Sequence, residues 1–238
     1  MKYTEKIKIN NYDVDMNGAV RPTSLLAKLE EVGSHQMMEY PPSNDDLRKE
    51  GKGFILSRLV MEIHKEVTEG DFDGQTWATD SRGLSFNRCY RLMKNGEVFA
   101  QIYTVWAFLD FNAGRLIRYE DVASQNIGGE GDAPFELTLP LRVRMPKTEE
   151  MSEVAKREVY YSDTDINGHM NNTKYLNMLC DFVPDFKDKK LRGANISYVS
   201  EAPLGDVLSV LSKVEGDTVY FKTVRSDKKV NCEAVLYF

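Results

Sequence analysis

Histidine and cysteine are both scarce in this chain, and the shortage limits the chemistry available to it. The 238 residues include 3 His and 3 Cys, and the cysteines are scattered as Cys89, Cys180 and Cys232. An odd and widely spaced set does not build a disulfide framework, so we expect reduced thiols and a cytoplasmic protein. Because His and Cys show no metal-ligand spacing, the sequence predicts no metal site.

Long apolar runs and nucleotide-binding motifs are absent as well. No hydrophobic stretch approaches the roughly 18 residues needed to cross a bilayer, and we expect no membrane span. Residues 1–9 alternate in polarity as a strand does and lack the apolar core of a signal peptide. The chain has no P-loop, no Gly-x-Ser-x-Gly elbow and no His-Glu-x-x-His motif. Nucleotide, serine-hydrolase and zinc chemistry therefore lack support, and we expect no cofactor.

The overall composition is that of a soluble globular protein. Hydrophobic residues make up 42% and charged residues 29%, which is enough for a substantial core. A net charge of −6 argues against non-specific nucleic-acid binding. An acidic protein partner would need a local basic patch, although a solvated surface is the default interpretation of basic clusters. The candidate docking groups form two clusters: Arg142, Arg144 and Lys147, and then Lys187, Lys189, Lys190 and Arg192.

The most informative feature is a loop motif that occurs twice. Residues 13–25 and 163–175 both contain Asp-x-Asp-x-Asn-Gly, with a Thr five residues after the Gly, and the offset between them is constant (163 − 13 = 150). Only the second copy carries a histidine, His169, where the first has Ala19. A shorter correspondence matches the Glu, Gly and Asp of segments 65–71 and 200–206. We interpret these matches as a duplicated fold in which one copy kept a titratable group.

The predicted elements follow the same order in both halves. Apolar residues at helical spacing predict helices from about Thr23 and from about Asn172. Pro41-Pro42 ends the first helix, and Asn95-Gly96 predicts a tight hairpin turn. The predicted strands are 2–9, 54–63, 76–79, 86–93 and 97–111, and then 158–161, 194–200, 206–214, 218–225 and 230–238.

One helix wrapped by an antiparallel sheet, twice over, is an α+β tandem (double) hotdog fold. We therefore expect a long helix in each repeat. The boundaries that we predict are an N-terminal repeat at 1–125, an irregular interdomain linker rich in Gly and Pro at 126–150, and a C-terminal repeat at 151–238.

The second motif copy has the residue types that acyl transfer to water requires. Asp165, Asn167 and His169 are spaced two apart, so in an extended segment all three would face one cavity. Asp165 would act as nucleophile or general base, His169 would orient or shuttle a proton, and Asn167 would fix the carbonyl or the water. The N-terminus of the following helix would stabilise the oxyanion.

Two simpler interpretations compete with a catalytic site. Asp-x-Asn-Gly is common turn chemistry, so spacing alone leaves a purely structural loop open. The motif also begins like a calcium-binding EF-hand loop, but the twelfth position from Asp163 is Lys174 where a Glu is required, which excludes calcium. The retention of His169 in one copy favours a functional site.

The segment Asp165–Tyr175 resembles the Asp-x-Asn-x-His-x-Asn-Asn-x-Lys-Tyr signature of acyl-acyl carrier protein thioesterases. Trp77 and the segments 86–91, 105–107 and 114–116 agree in character, so the resemblance spans nearly the whole chain. It implies hydrolysis of fatty acyl-acyl carrier protein thioesters, with acyl carrier protein as the partner. It also implies that the C-terminal repeat is catalytic. From the apolar stripe of the first helix we expect the N-terminal repeat to hold the acyl chain.

The resemblance maps the catalytic residues onto Asp165, Asn167 and His169 of this chain. The plant enzymes of the family tend to place a Glu-Cys pair after the next strand, and the pair here is Glu201-Ala202. A cysteine nucleophile is therefore excluded at that position, whereas Glu201 is a candidate base or water-orienting carboxylate.

Three other functions stay open at this stage. An acyl-coenzyme A thioesterase of the same fold is the nearest, and a non-catalytic acyl-binding module belongs to a different class. A hotdog dehydratase also uses His and an acid, but the motif fits it poorly. A monomer and a homodimer are both compatible with the sequence, because each chain already supplies two hotdog units.

For the remaining residues that attract attention, we prefer structural interpretations. Cys180 could pair with His169 but is better explained as a small packing residue. The same holds for His35 and His64, which we expect to be structural or on the surface. Core packing is also the preferred explanation, over contact with an acyl chain, for Met16, Met37, Met38, Trp77 and Trp106.

Overall fold

The computed structural model describes residues 2–125 and 132–238. The helices are α1 (Pro22–Glu39), α2 (Asn44–Lys49), α3 (Tyr119–Val122) and α4 (Lys174–Cys180). The first strands are β1 (Tyr3–Ile9), β2 (Lys52–Ile63), β3 (Gly70–Arg82), β4 (Ser85–Lys94), β5 (Glu97–Asp110) and β6 (Arg115–Ile117). The second half adds β7 (Ser152–Glu158), β8 (Gly193–Tyr198), β9 (Val207–Glu215), β10 (Thr218–Val224) and β11 (Val230–Tyr237).

The described strands form one 11-stranded antiparallel sheet. Its order is β1-β3-β4-β5-β2-β8-β11-β10-β9-β7, with β6 paired to β5 at the side. The order in the second half is the order of the first half reversed, so the two halves are related about the junction of β2 and β8, where Leu59 lies opposite Ile196. The predicted α+β tandem hotdog is therefore confirmed.

Helices α1 and α4 lie together against the inner face of the sheet. α1 and α4 are in contact, and Thr23 Oγ1 donates to the carbonyl of Thr173 at 2.8 Å. The apolar stripe of α1 is buried because its residues recur every three or four positions, and burying each such side chain stabilises the fold by roughly 1.5–3 kcal/mol. The buried stripe consists of Leu25, Leu26, Leu29 and Val32.

The second helix differs from the prediction. α4 has 7 residues whereas α1 has 18, so the second repeat does not contain a long helix. Pro184 follows shortly after α4, and proline cannot continue a helical hydrogen-bond ladder. The predicted strand at 158–161 is also misplaced, because β7 ends at Glu158 and Tyr161–Asp163 forms a 3₁₀ turn.

Part of the predicted linker packs on the outer face of the sheet. Glu62 of β2 accepts hydrogen bonds from the backbone N–H groups of Thr138 and Leu139, both at 2.6 Å. The ring of Phe135 meets Trp77 edge-on. We name residues 132–140 the strap. Residues 126–131 lie outside the described part of the chain, and the division 1–125, 126–150 and 151–238 stays our proposal.

Candidate active site

The two motif loops have the same backbone hydrogen bonds. Asp165 N–H donates to the carbonyl of His169 at 2.9 Å, and Asp15 N–H donates to that of Ala19 at 2.7 Å. Gly168 adopts a φ of 75°, in the left-handed region that favours glycine. The predicted loop is therefore a tight turn rather than an extended segment, although its side chains still face one cavity.

The first aspartate of each motif anchors its loop. Asp163 accepts hydrogen bonds from the backbone N–H of Tyr160 at 2.8 Å and from Arg157 Nη2 at 2.8 Å. Burial opposes ionisation, but these hydrogen bonds outweigh it and lower the pKa of Asp163. In the first repeat, Asp13 accepts from Asn10 N–H and pairs with a lysine. These two aspartates hold the turns in place.

The correspondence between segments 65–71 and 200–206 is confirmed by a second pair of equivalent contacts. Met170 N–H donates to the carbonyl of Ala202 at 2.8 Å, and Val20 N–H donates to that of Val67 at 2.8 Å. The residue that precedes Ala202 is Glu201, which is thereby held beside the motif loop of the second repeat.

His169 and Glu201 form the central contact of the site. His169 Nδ1 lies 3.3 Å from Glu201 Oε2, and the imidazole is one-third exposed. Beside them, Asn167 Nδ2 donates to Asp165 Oδ2 at 3.3 Å, and Asn167 N–H donates to Asp165 Oδ1 at 2.8 Å. The four residues predicted from the sequence are thus brought together in one place.

The equivalent groups of the first repeat have other partners. Asn17 Nδ2 donates to the carbonyl of Lys187 at 2.8 Å, and Glu66 pairs with Lys190 at 3.1 Å. Ala19 supplies no imidazole, and its N–H donates to Asp15 Oδ1 at 3.1 Å. The first motif loop is therefore committed to structural contacts.

All four predicted residues line a cavity of about 690 Å³ that reaches deep into the N-terminal repeat. This volume lies within the range of small-molecule sites. Asn167 and Glu201 lie at the rim with the exposed Val199 and Phe111. The N-terminal repeat contributes an apolar part of the lining that includes Gly33, Met37, Phe54, Leu56, Phe86 and Trp106.

Glu30 is a cavity residue that the sequence reasoning missed. Glu30, Gly33, Ser34 and Met37 recur every three or four residues along α1, so they share one face of the helix beside its buried stripe. That spacing was a usable signal, but a glutamate on a helix is normally on the surface. Burial raises the pKa of Glu30 to about 8, although Asn172 Nδ2 donates to its Oε1 at 2.8 Å.

A buried cation lies deeper in the same cavity. Arg88 of β4 lines the cavity and donates to Gln36 Oε1 and to Thr76 Oγ1. Burial lowers the pKa of this guanidinium. Neither Glu30 nor Arg88 belongs to the sequence motif, because their positions in the cavity depend on how α1 packs on the sheet.

Three N–H groups at the N-terminus of α4, the predicted oxyanion site, already have partners. The N–H of Thr173 donates to the Asn171 and Asn172 side chains, the N–H of Lys174 donates to the carbonyl of Asn171, and that of Asn177 donates to Thr23 Oγ1. A helix of 7 residues also has a small dipole. The oxyanion role of this terminus stays a prediction.

Several single residues have the structural roles that we preferred. Cys180 is buried in α4 outside the cavity lining, and burial raises the pKa of its thiol. His35 Nδ1 contacts Glu5 at 2.9 Å, and His64 lies 3.8 Å from a glutamate. Met16 and Met38 are exposed rather than buried, which differs from the expected core packing. Two of the residues considered, Met37 and Trp106, do line the cavity.

None of the residues in the predicted basic clusters lines the cavity. Burial and then the positive charge of Arg142 lower the pKa of Arg58, whose side chain donates to Ser197 of β8. The carbonyl of Lys187 accepts a hydrogen bond from the motif loop of the first repeat. The basic residues near the rim are instead Arg48 of α2 and Lys52 of β2. Within residues 2–125 and 132–238, no helix is long and apolar enough to cross a membrane, and no three acidic, His or Cys side chains are placed to hold a metal ion.

Comparison with protein families matches both halves of the chain. The family described as "Acyl-ACP thioesterase N-terminal domain" matches residues 1–126, and "Acyl-ACP thioesterase C-terminal domain" matches residues 146–235. Similar curated proteins include a chloroplastic acyl-[acyl-carrier-protein] hydrolase of Cuphea viscosissima (21% identical over 90% of this chain) and oleoyl-acyl carrier protein thioesterase 1 of Arabidopsis thaliana (22% over 89%). The aligned part spans 55% and 64% of the lengths of these two relatives.

Solved structures share the fold. An acyl-ACP thioesterase from Bacteroides thetaiotaomicron superposes with a TM-score of 0.86 at 23% identity, covering 100% of this chain and 97% of that one. The 12:0-ACP thioesterase from Umbellularia californica gives a TM-score of 0.87 at 15% identity, covering 99% and 96%.

Proposed function

Because this chain belongs to the acyl-ACP thioesterase family, we propose that it hydrolyses the thioester bond between a fatty acyl chain and acyl carrier protein. The observation that carries the proposal is the shared cavity. Asp165, Asn167, His169 and Glu201 lie at its opening, and an apolar wall under α1 continues behind them. The family resemblance of the motif and the geometry of the cavity support the same reaction.

The acyl chain occupies the part of the cavity between α1 and the sheet of the N-terminal repeat. Met37, Phe54, Phe86 and Trp106 provide the apolar surface that stabilises a bound chain by removing it from water. The pantetheine arm enters past the exposed Val199 at the rim. This pose places the thioester carbonyl at the motif loop.

His169 activates the attacking water. Its Nδ1 faces Glu201, which leaves Nε2 to accept a proton from the water while the water oxygen bonds to the thioester carbon. The tetrahedral intermediate collapses by breaking the carbon–sulfur bond, and the leaving thiolate takes the proton from Nε2. The products are a free fatty acid and the thiol of the carrier's pantetheine arm.

Asn167 is a further oxyanion donor beside the N-terminus of α4. One N–H of its side-chain amide faces Asp165 Oδ2, and the other is available to the carbonyl oxygen of the substrate. Asp165 Oδ1 accepts from Asn167 N–H as Asp15 Oδ1 accepts from Asn17 N–H. This shared bond supports a role for Asp165 in shaping the loop and orienting Asn167, rather than as the nucleophile.

The carrier protein docks at the rim of the cavity. Arg48 and Lys52 lie there, and positive charge at a docking surface accelerates association with an acidic partner. The more distant cluster around Lys187 would have to contact a part of the carrier that extends beyond the pantetheine site.

The test compares one acyl chain on three carriers. We expect release of fatty acid from acyl carrier protein with a higher kcat/KM than from acyl-coenzyme A or acyl-pantetheine. Arg48→Glu should lower kcat/KM several-fold on the carrier protein alone, and the loss should shrink at high salt. Lys187→Glu is the matched charge reversal for the distant cluster and should have a smaller effect.

Each alternative function gives a distinct result in this experiment. Equal or faster hydrolysis of the coenzyme A ester would replace the carrier-protein assignment with that of an acyl-coenzyme A thioesterase. Acyl binding without hydrolysis on any carrier would show a non-catalytic binding module.

A further inference from the structure

Glu30 lies inside the cavity near the motif loop. Its carboxyl is hydrogen-bonded to Asn172, which follows His169 in the same segment, whereas Met37 lies about two turns further along α1 and packs beside Phe86. In the proposed function, a chain with its carbonyl at His169 passes Glu30 before it reaches Met37. Glu30 therefore faces the first carbons of the chain.

The carboxyl of Glu30 has a single polar partner in the described part of the chain. Asn172 Nδ2 donates to Oε1, and no Lys, Arg or His of residues 2–125 and 132–238 forms an ion pair with it. With the pKa raised to about 8 by burial, the carboxyl carries its proton at neutral pH. Because Asn172 fixes Oε1, the O–H on Oε2 is a free donor toward the cavity.

Other titratable and charged groups share this cavity, but each belongs to another element. Tyr198 donates its own O–H to the carbonyl of Asn172 at 2.9 Å, and Tyr175 accepts a hydrogen bond from Asn231. The titratable and charged residues that line the cavity with Glu30 are Arg88 and Tyr90 of β4, Tyr175 of α4, Tyr198 of β8, Arg48 and Lys52 near the rim, and Asp165, His169 and Glu201 of the site.

We propose that Glu30 selects acyl thioesters that carry an oxygen, as a hydroxyl or keto group, on carbon 3 of the chain. The inference rests on the proposed function. A chain assembled by condensation of two-carbon units has a 3-oxo group, which reduction converts to a 3-hydroxyl, and it retains oxygen at carbon 3 until that hydroxyl is lost as water. A bound unsubstituted chain would leave the Glu30 O–H buried without an acceptor, which costs free energy, whereas an oxygen on carbon 3 accepts the hydrogen bond.

The experiment measures kcat/KM of the full chain on carrier-protein thioesters of one length that are unsubstituted, 3-hydroxy or 3-oxo. We expect the wild type to prefer an oxygenated chain about tenfold. In Glu30→Met the ratio should fall to about one, and in Glu30→Gln it should persist because the amide N–H also donates. Glu31→Gln, at an exposed neighbouring position, is the matched control and should keep the wild-type ratio.

Two results would overturn the proposal: a wild-type ratio of one or below, or an unchanged ratio in Glu30→Met. A purely structural role of Glu30 would lower the rates on all three substrates equally.

Calorimetric binding of the product acids to the wild type gives a readout that needs neither catalysis nor the Met variant. There we expect the 3-hydroxy acid to bind about tenfold more tightly, and equal affinities would contradict the role of Glu30. Selective binding with no hydrolysis would overturn the proposed function and leave this selectivity standing.

Discussion

At the scale of single residues, the first motif copy can be compared directly with the second copy, which holds the proposed site. Asp15 and Asp165 accept the same backbone hydrogen bond from the asparagine two positions later, so this bond belongs to the turn. The imidazole of His169 and its contact with Glu201 occur in the second copy only. The chemistry that distinguishes the copies is therefore the histidine and its contact with a carboxylate that both copies contain.

Removing that carboxylate should slow the reaction. Glu201→Gln leaves the imidazole without an anionic partner at Nδ1, and we expect kcat to fall about tenfold with little change in KM. The moderate size follows from the solvent exposure of Glu201, which screens the interaction. Steady-state kinetics measure the loss of kcat. The control is Glu66→Gln, which changes the equivalent position of the first repeat. Equal losses in both variants would argue against a special role for Glu201.

At the scale of structural elements, the strap is the feature with the clearest energetic consequence. Glu62 is almost fully buried and receives hydrogen bonds from Thr138, Leu139 and Gln101. Burial raises the pKa of this carboxyl, but the hydrogen bonds outweigh burial and the net pKa is lowered. The strap is thus attached to the sheet through an ionised carboxylate.

Glu62→Ala should lower the free energy of unfolding by about 1–3 kcal/mol at pH 7. A carboxyl with a lowered pKa stabilises the folded state above its ordinary pKa, and this contribution is lost as the pH falls through the lowered value. The stability difference between the wild type and the variant should therefore shrink in acid. Urea denaturation at neutral and acidic pH measures it, with the exposed Glu97→Ala as the control. A difference that grows in acid would contradict the ionised attachment.

The sequence alone predicts the structural features that depend on local chemistry. The hairpin at Asn95-Gly96 is confirmed, with φ values of 52° and 80°, because few other residues tolerate them. The duplicated turns were predictable since their hydrogen bonds use atoms within one short segment. The short α4 is also a local feature, because Pro184 follows it in the sequence.

Features set by distant contacts could not be predicted. The junction of β2 and β8 joins segments more than 100 residues apart, and no local pattern specifies that pairing. Glu30 resembles an ordinary surface glutamate until α1 packs beside Asn172. The strap depends on Glu62, whose burial follows from its position in the centre of the sheet.

At the scale of the whole molecule, fusion of two related halves explains the single predicted site. One motif loop opens onto the cavity, whereas the other is engaged by Lys187 and lacks the histidine. The N-terminal repeat supplies most of the apolar wall, and the C-terminal repeat supplies the four residues that we propose to be catalytic. Both halves therefore contribute residues to the lining of the proposed site.

The central claim is that hydrolysis depends on His169, and single-turnover release of fatty acid from acyl carrier protein tests it most directly. His169→Ala should lower the rate constant about 100-fold or more, since a general base contributes on the order of 10²–10⁴ to the rate. His35→Ala removes a histidine that contacts Glu5 outside the cavity, and it should leave the rate unchanged. A rate in His169→Ala within a factor of about two of the wild type would contradict the claim.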